Sequence, residues 1–148
     1  LQVCDGVQQA HQKGIAHRDL KPANVLVCEV AGEAVAKLID FGLALFLRNE
    51  DGARLTTEGQ TLGTIEYMPP EQLAGDRAAM DLRVDVYALG VLLYELLCDQ
   101  LPFDSRRLRD ATPAVRQRIL EQEDPPRPSR VRELPRDLDL IVLTAMAK

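Results

Sequence analysis

The sequence lacks three features that would assign it to a specialised class of protein. Its longest apolar stretch, Val86 to Cys98, is interrupted by Glu95 and is shorter than the roughly 20 residues that a membrane-spanning helix needs. It has no excess of positive charge, because 18 Lys and Arg stand against 23 Asp and Glu, a net of −5. Its 3 cysteines are odd in number and lack metal-ligand spacing. We therefore expect no membrane segment in this chain, no nucleic acid partner and no disulfide framework.

The remaining composition is that of a globular protein in a reducing compartment. A length of 148 residues matches one average domain, with 46% hydrophobic and 28% charged residues. The cysteines are expected to be small buried hydrophobic residues, and the expected location is the cytoplasm. The chain begins at Leu1 rather than Met, in a helical pattern. This start predicts a piece of a longer protein, and a membrane-anchored parent stays open.

The order of predicted elements is helix, hairpin, long loop and several helices. Residues 1–13 have helical spacing and end at Gly14, a typical C-terminal cap. Two short strands, 25–27 and 34–39, form a hairpin, and residues 43–70 form a loop whose length is typical of a functional segment. Prolines predict an extended connector over 125–130. Further helices are predicted over 85–97, 114–122 and 137–147.

One segment, His17-Arg18-Asp19-Leu20-Lys21-Pro22-Ala23-Asn24, concentrates groups that carry chemistry. Asp19 can accept a proton from an alcohol, Lys21 can hold a phosphate, and Asn24 offers an amide oxygen to a hard cation. The hairpin brings Asp40 of Asp40-Phe41-Gly42 to the same rim as Asn24. A carboxylate and an amide oxygen suit Mg²⁺, which leaves room for substrate phosphates. Gly42 allows a sharp turn behind the metal ligand.

Four segments in order resemble protein kinases. The segment 17–24 resembles the catalytic loop of that family, and 40–42 resembles its metal-binding triplet. The stretch from Gly63-Thr64 through Glu66-Tyr67-Met68-Pro69-Pro70-Glu71 is similar to the end of the activation segment. Asp85-Val86-Tyr87-Ala88-Leu89-Gly90 resembles the start of the central helix, and Leu101-Pro102-Phe103 follows it as in kinases.

The resemblance implies a fold, an activity and a set of roles. The expected fold class is α+β and protein-kinase-like: a mainly helical C-terminal lobe with a small β-hairpin and no N-terminal lobe. The implied activity is that of a serine/threonine protein kinase, which transfers the γ-phosphoryl of ATP to a protein Ser or Thr. The sequence of residues 1–27 and 85–103 resembles that of the eukaryotic-like kinases of bacteria. Asp19 would orient the hydroxyl and accept its proton, Lys21 would steady the phosphoryl, and Asn24 with Asp40 would hold magnesium ions. Thr64 would lie in the substrate groove.

The resemblance also implies a phosphorylation switch. Arg18 beside the catalytic carboxylate needs a compensating anion, which a phosphate on the activation segment would supply. The candidate phosphosites are Thr56, Thr57 and Thr61. The alternative is that these threonines only suit a polar loop.

Parts of a complete kinase are missing from this sequence. No Gly-x-Gly-x-x-Gly loop and no strand lysine precede the catalytic loop, and the arginine that pairs with Glu71 in kinases would follow Lys148. We therefore interpret 1–148 as a partial kinase domain, with catalytic loop 17–24, metal triplet 40–42, activation segment 40–71 and helical remainder 85–148. The isolated chain is expected to be inactive. The alternative function is a catalytically incomplete kinase-like module that binds protein partners.

Four other features have simpler interpretations. The resemblance implies that His17 packs beneath the metal triplet rather than acting as a base. Asp85 can be a helix N-cap, a holder of the catalytic-loop backbone, or both. His11 is expected to lie on a helix face without a chemical role. The arginines of 106–109 are typical of a solvated face, with contact to a peptide or partner as the alternative.

Overall fold

The computed structural model describes residues 1–41, 65–75 and 81–147. Within these ranges the chain is mainly helical with one antiparallel hairpin, as predicted. The helices are α1 Gln2–His11, α2 Pro70–Ala74, α3 Arg83–Cys98, α4 Ser105–Asp110, α5 Pro113–Gln122, α6 Pro128–Val131 and α7 Arg136–Ala145. The strands are β1 Val25–Val30 and β2 Glu33–Leu38, and short 3-10 turns cover Pro22–Asn24 and Ile65–Tyr67.

Helix α1 ends as its sequence predicts. Gly14 has a φ of 72°, and its N–H donates to the carbonyl of His11, while the N–H of Ile15 donates to that of Ala10. These two bonds form the Schellman arrangement that glycine favours. The chain then turns directly into the segment 17–24, so the cap fixes where that segment starts.

The hairpin is longer than the sequence indicates. Strand β1 continues to Val30 rather than ending at residue 27, and it pairs with β2 from Val25 opposite Leu38 to Val30 opposite Glu33. Ala31 and Gly32 form the turn with φ of 54° and 83°, the positive values that suit the twist of a two-residue hairpin. The hairpin brings residue 39 back beside Asn24.

Helix α3 is the centre of the core. Nine of its residues are buried, and Val91 is fully buried. Helix α7 crosses it where Gly90 faces Ala145 and Met146. The apolar side chains of α3 are mostly buried, as the sequence predicted for a central helix, although Val86 and Leu96 are exposed.

One local prediction was wrong, and one short helix was not predicted. The stretch 125–130 is not extended throughout, because Pro128 begins α6; proline is tolerated at a first helical position, where its N–H is not needed. Helix α4 was not predicted, and Asp104 caps it by accepting a hydrogen bond from the backbone N–H of Arg107 at 2.7 Å.

The expectation that the cysteines are buried holds for one of the three. All 3 cysteines are free, but only Cys98 is buried, whereas Cys4 is exposed and Cys28 is half-buried. In the described part of the chain, no helix has the length and apolar character to cross a membrane.

Candidate active site

The buried carboxylate of Asp85 holds the backbone of the segment 17–24. Its Oδ2 accepts from the N–H of His17 and its Oδ1 from the N–H of Arg18, both at 2.7 Å, and its side chain is 1% exposed. Helix α3 begins at Arg83 with Leu82 as its cap residue, so Asp85 lies inside the first turn and does not cap it. The prediction that Asp85 holds the backbone of the segment 17–24 is confirmed, and the N-cap alternative is wrong.

His11 has a role that the sequence did not indicate. Its Nε2 lies 2.7 Å from Oδ2 of Asp85, so α1 contributes a third partner to the same carboxylate. Each oxygen of Asp85 therefore has at least one polar partner. The expectation that His11 is only a helix-face residue is wrong, because a residue 74 positions away in sequence completes the contact.

His17 links this segment to the end of the hairpin. It is fully buried, its Nε2 lies 3.0 Å from the carbonyl oxygen of Ile39, and its ring lies 4.6 Å from that of Phe41. The prediction that His17 packs against the metal triplet is confirmed. The N–H of Ile39 also donates to the carbonyl of Asn24 at 3.1 Å, so Asp40 follows a residue that is tied to both ends of the segment.

Asp19, Lys21 and Asn24 come together as the sequence predicts. Lys21 Nζ lies 2.9 Å from Asp19 Oδ2. Asn24 Nδ2 donates to the same carboxylate oxygen at 3.1 Å and to the carbonyl of Asp19 at 2.8 Å. The carboxylate is therefore flanked by a cation and an amide donor, yet Asp19 remains 27% exposed at its side chain.

Asn24 and Asp40 have the donor atoms that a magnesium ion requires. Asn24 uses its amide nitrogen toward Asp19, so its Oδ1 is the atom that could face a cation. Asp40 is exposed and has a φ of 59°. The described residues contain no cluster of three or more His, Cys, Asp or Glu that could hold a metal. An amide oxygen with one carboxylate fits Mg²⁺, which takes few protein ligands.

The segment 65–75 is anchored to the helical core by two polar contacts. Tyr67 donates to Glu95 Oε2 at 2.7 Å, and burial, that bond and the neighbouring carboxylates raise the pKa of Tyr67 above its usual range. Glu66, whose side chain is 2% exposed, accepts from Arg109 Nε at 2.9 Å. The solvated-face interpretation therefore misses that Arg109 pairs with a buried carboxylate, whereas Arg107 pairs with Glu123 on the surface, as that interpretation expects.

Gln72 is a further contact that the sequence did not indicate. Its Nε2 donates to the carbonyl oxygen of Arg18 at 2.7 Å, which connects α2 to the residue before Asp19. No local sequence pattern predicts this contact, since Gln72 and Arg18 are 54 positions apart.

Several predicted positions cannot be compared with the structure. Gly42, Thr56, Thr57, Thr61 and Thr64 lie outside the described residues.

Comparison with known proteins identifies the family. The protein kinase domain family matches residues 1–144. The chain belongs to the protein kinase family. It is 39% identical over 145 residues to the serine/threonine-protein kinase PknB of Mycobacterium tuberculosis, and 40% identical over 146 residues to PknB of Mycobacterium leprae. Each alignment covers 98% of this chain and 22% of the relative. It is also 44% identical over 103 residues to the serine/threonine-protein kinase pkn2 of Myxococcus xanthus, covering 70% of this chain and 12% of that protein.

These relatives confirm the predicted family and its bacterial character. The fold class is confirmed as well, since the described residues form a helical protein-kinase lobe with one small hairpin. The chain spans less than a quarter of the length of these relatives. Protein kinases in general use ATP and Mg²⁺ and act on protein substrates.

Proposed function

We propose that this chain is the large-lobe portion of a serine/threonine protein kinase. The observation that carries the proposal is the grouping of Asp19, Lys21 and Asn24, with Lys21 Nζ at 2.9 Å and Asn24 Nδ2 at 3.1 Å from one carboxylate oxygen. In protein kinases, catalysis depends on positioning and electrostatic stabilisation rather than on covalent chemistry. A carboxylate held in this way is suited to orient a hydroxyl.

Asp19 receives the proton in the proposed reaction. The hydroxyl oxygen of a protein Ser or Thr bonds to the γ-phosphorus of ATP as the bond from that phosphorus to the bridging oxygen of ADP breaks. The hydroxyl proton passes to the Asp19 carboxylate. Lys21 lies beside that carboxylate, where its ammonium also stabilises negative charge on the transferred group.

Asn24 and Asp40 are the residues that would hold magnesium. A magnesium ion held there would offset the negative charge of the ATP phosphates. Asn24 is kept in place by its two bonds to Asp19, and Asp40 by the attachment of Ile39 to Asn24 and His17. The proposed metal ligands Asn24 and Asp40 are therefore held by contacts that also involve the segment of Asp19, the proposed base.

The proposed domain layout follows the predicted boundaries. Residues 17–24 are the catalytic loop, 40–42 the metal triplet, 40–71 the activation segment and 85–148 the helical remainder of a partial kinase domain. A kinase also needs a smaller lobe that covers the phosphates of ATP. The 148-residue chain on its own is therefore expected to bind Mg²⁺-ATP negligibly at micromolar concentrations, which calorimetric titration measures.

The test of the proposed function compares two carboxylates in the intact protein encoded by the gene. Asp19→Asn removes the proton acceptor and should lower phosphotransfer about 100-fold or more, with nucleotide affinity nearly unchanged. Asp40→Asn removes a metal ligand and should weaken Mg²⁺-dependent nucleotide binding as well. Asp124→Asn, in the exposed connector between α5 and α6, is the matched control and should keep the wild-type rate.

Full activity of the Asp19→Asn protein would refute this assignment. If the wild-type protein shows no phosphotransfer with any protein substrate but retains partner binding, the kinase-like binding module is the correct interpretation.

We also propose that phosphate on Thr56, Thr57 or Thr61 activates the enzyme through Arg18. The Nε of Arg18 is buried and has no hydrogen-bond partner among the described residues. A buried N–H donor is costly to leave unsatisfied, and a phosphate adds about −1.5 to −2 charges and strong acceptor oxygens.

Mass spectrometry after incubation with Mg²⁺-ATP, and alanine replacement of the three threonines together, test this switch. We expect phosphate between residues 43 and 63 and a slower triple variant. Absence of phosphate together with an unchanged rate would show that Arg18 has only a structural role.

A further inference from the structure

The residue before Asp19 has an unusual backbone that needs support. Arg18 has a φ of 64°, in the left-handed region that residues with a side chain rarely occupy. Such a conformation persists only where the surrounding structure fixes it. The peptide that joins Arg18 to Asp19 sets the direction in which the Asp19 side chain leaves the chain.

Two side chains from different elements hold the two backbone polar groups of Arg18. Asp85, on α3, accepts from its N–H at 2.7 Å. Gln72, on α2, donates through Nε2 to its carbonyl oxygen, also at 2.7 Å. The carbonyl belongs to the peptide plane that Asp19 shares, so Gln72 acts on the side of Arg18 that faces the proposed base.

Helix α2 provides a firm base for this contact. It begins after Pro69, whose carbonyl accepts from the N–H of Gln72, and it ends at Gly75 with a φ of 70°. The 3-10 turn just before it is fixed to α3 by the bond from Tyr67 to Glu95. Gln72 also lines a small depression together with Asp19 and Tyr67.

We propose that Gln72 is a positioning residue for the catalytic carboxylate. Its amide fixes the peptide plane between Arg18 and Asp19, and thereby the direction of the Asp19 carboxylate toward the substrate hydroxyl. The proposal rests on the proposed function for the role of Asp19, while the contact itself does not. A carbonyl oxygen requires a donor, so the chemistry needed at position 72 is an N–H group.

Three substitutions at position 72 separate donation from packing. Gln72→Met keeps the size without a donor, Gln72→Glu keeps the shape but presents acceptor oxygens, and Gln72→Lys keeps a donor. Because small misplacements of catalytic groups cost rate steeply, we expect Met and Glu to lower kcat by about 10- to 100-fold. We expect the KM for ATP to change by less than about twofold, since Gln72 touches no proposed nucleotide ligand, and Lys to recover much of kcat.

A second measurement follows the contact without relying on activity. Hydrogen exchange at the amides of residues 18 and 19, measured by NMR in the intact protein, should become faster in the Met and Glu variants than in the wild type and the Lys variant. Gln117→Met is the matched control, because Gln117 donates to Glu121 on the surface of α5 and should leave kcat and exchange unchanged. The melting temperature of each variant shows whether it is folded.

The outcomes distinguish this proposal from the function on which it rests. Wild-type kcat and exchange in a folded Gln72→Met protein would overturn the positioning role, and so would a Lys variant as slow as Met. Full activity of Asp19→Asn would instead overturn the proposed function. In that case faster exchange in Gln72→Met would still establish the hold of Gln72 on the peptide.

Discussion

Replacing Asp85 by Asn tests whether one buried carboxylate supports the catalytic loop. The two side chains have nearly the same shape, so the change removes charge and one acceptor oxygen without opening a cavity. In the native chain the carboxylate meets the N–H groups of His17 and Arg18 and the ring of His11, each at 2.7 Å. An amide places its NH₂ group against at least one of these partners.

The expected loss of stability follows from the number of bonds and their burial. Hydrogen bonds to a charged group contribute roughly 1.5–3 kcal/mol each, and a buried donor left unsatisfied costs about 1–3 kcal/mol. We expect Asp85→Asn to lower the free energy of unfolding by about 3–5 kcal/mol, as for other buried charges whose pairing is broken. That is a large share of the roughly 5–15 kcal/mol that stabilises a typical protein.

Urea denaturation followed by circular dichroism measures this loss in a graded series. His11→Leu removes one partner and leaves both backbone bonds, so it should cost about 1–2 kcal/mol. Asp124→Asn changes an exposed carboxylate in the connector between α5 and α6 and should leave the midpoint where it is. If Asp85→Asn is no more destabilising than His11→Leu, the backbone bonds to Asp85 do not support the loop as argued.

Two further predictions concern the packing of α7. Gly90→Ala should destabilise the chain by about 1–3 kcal/mol, because its new Cβ would lie 2.9 Å from Cβ of Ala145. Gly6→Ala, within α1, should instead stabilise the chain by up to about 1 kcal/mol. Thermal unfolding compares the two variants, and equal shifts in melting temperature would contradict the packing argument. Asp139 accepts hydrogen bonds from the hydroxyl and the N–H of Ser129, and these bonds lower the pKa of its carboxyl below the usual 3.8. The ionised carboxyl therefore stabilises the folded state fully above pH 3.8, and this stabilisation is lost as the pH falls through the lower pKa of the folded state. Ser129→Ala should raise the pKa of Asp139 in an NMR titration, and an unchanged pKa would refute the cause given.

Sequence patterns predicted most of the elements because their causes are local. Gly14 ends α1 through bonds within five residues, and the hairpin follows from a two-residue turn between short strands. The central helix α3 was visible as an apolar stretch. The prediction failed for Pro128, where a residue that disfavours a helix interior starts a helix, and for the short α4, whose capping residue Asp104 was not recognised as one.

The sequence predicted which chemical groups form the site but not the long-range contacts that hold them. Asp19, Lys21 and Asn24 lie within six residues, so their proximity was evident from the sequence and from its resemblance to protein kinases. The contacts of His11 and Gln72 bridge 74 and 54 positions of the chain. Such contacts depend on how helices pack, and no spacing rule along the sequence encodes that packing.

The supports of Arg18 show how the parts of the site depend on one another. Its N–H is bound by the central helix and its carbonyl by α2, while its side chain keeps a buried Nε without a hydrogen-bond partner in the described part of the chain. The backbone and the side chain of Arg18 therefore have different partners. Asp85 and Gln72 bind its backbone, and an anion would bind its guanidinium. Under the proposed function, loss of Gln72 would disturb the direction of Asp19 even when the activation segment is phosphorylated. Loss of the phosphate would leave both backbone bonds of Arg18 in place. Because both perturbations act on Arg18, their effects on the rate should be coupled rather than simply multiply.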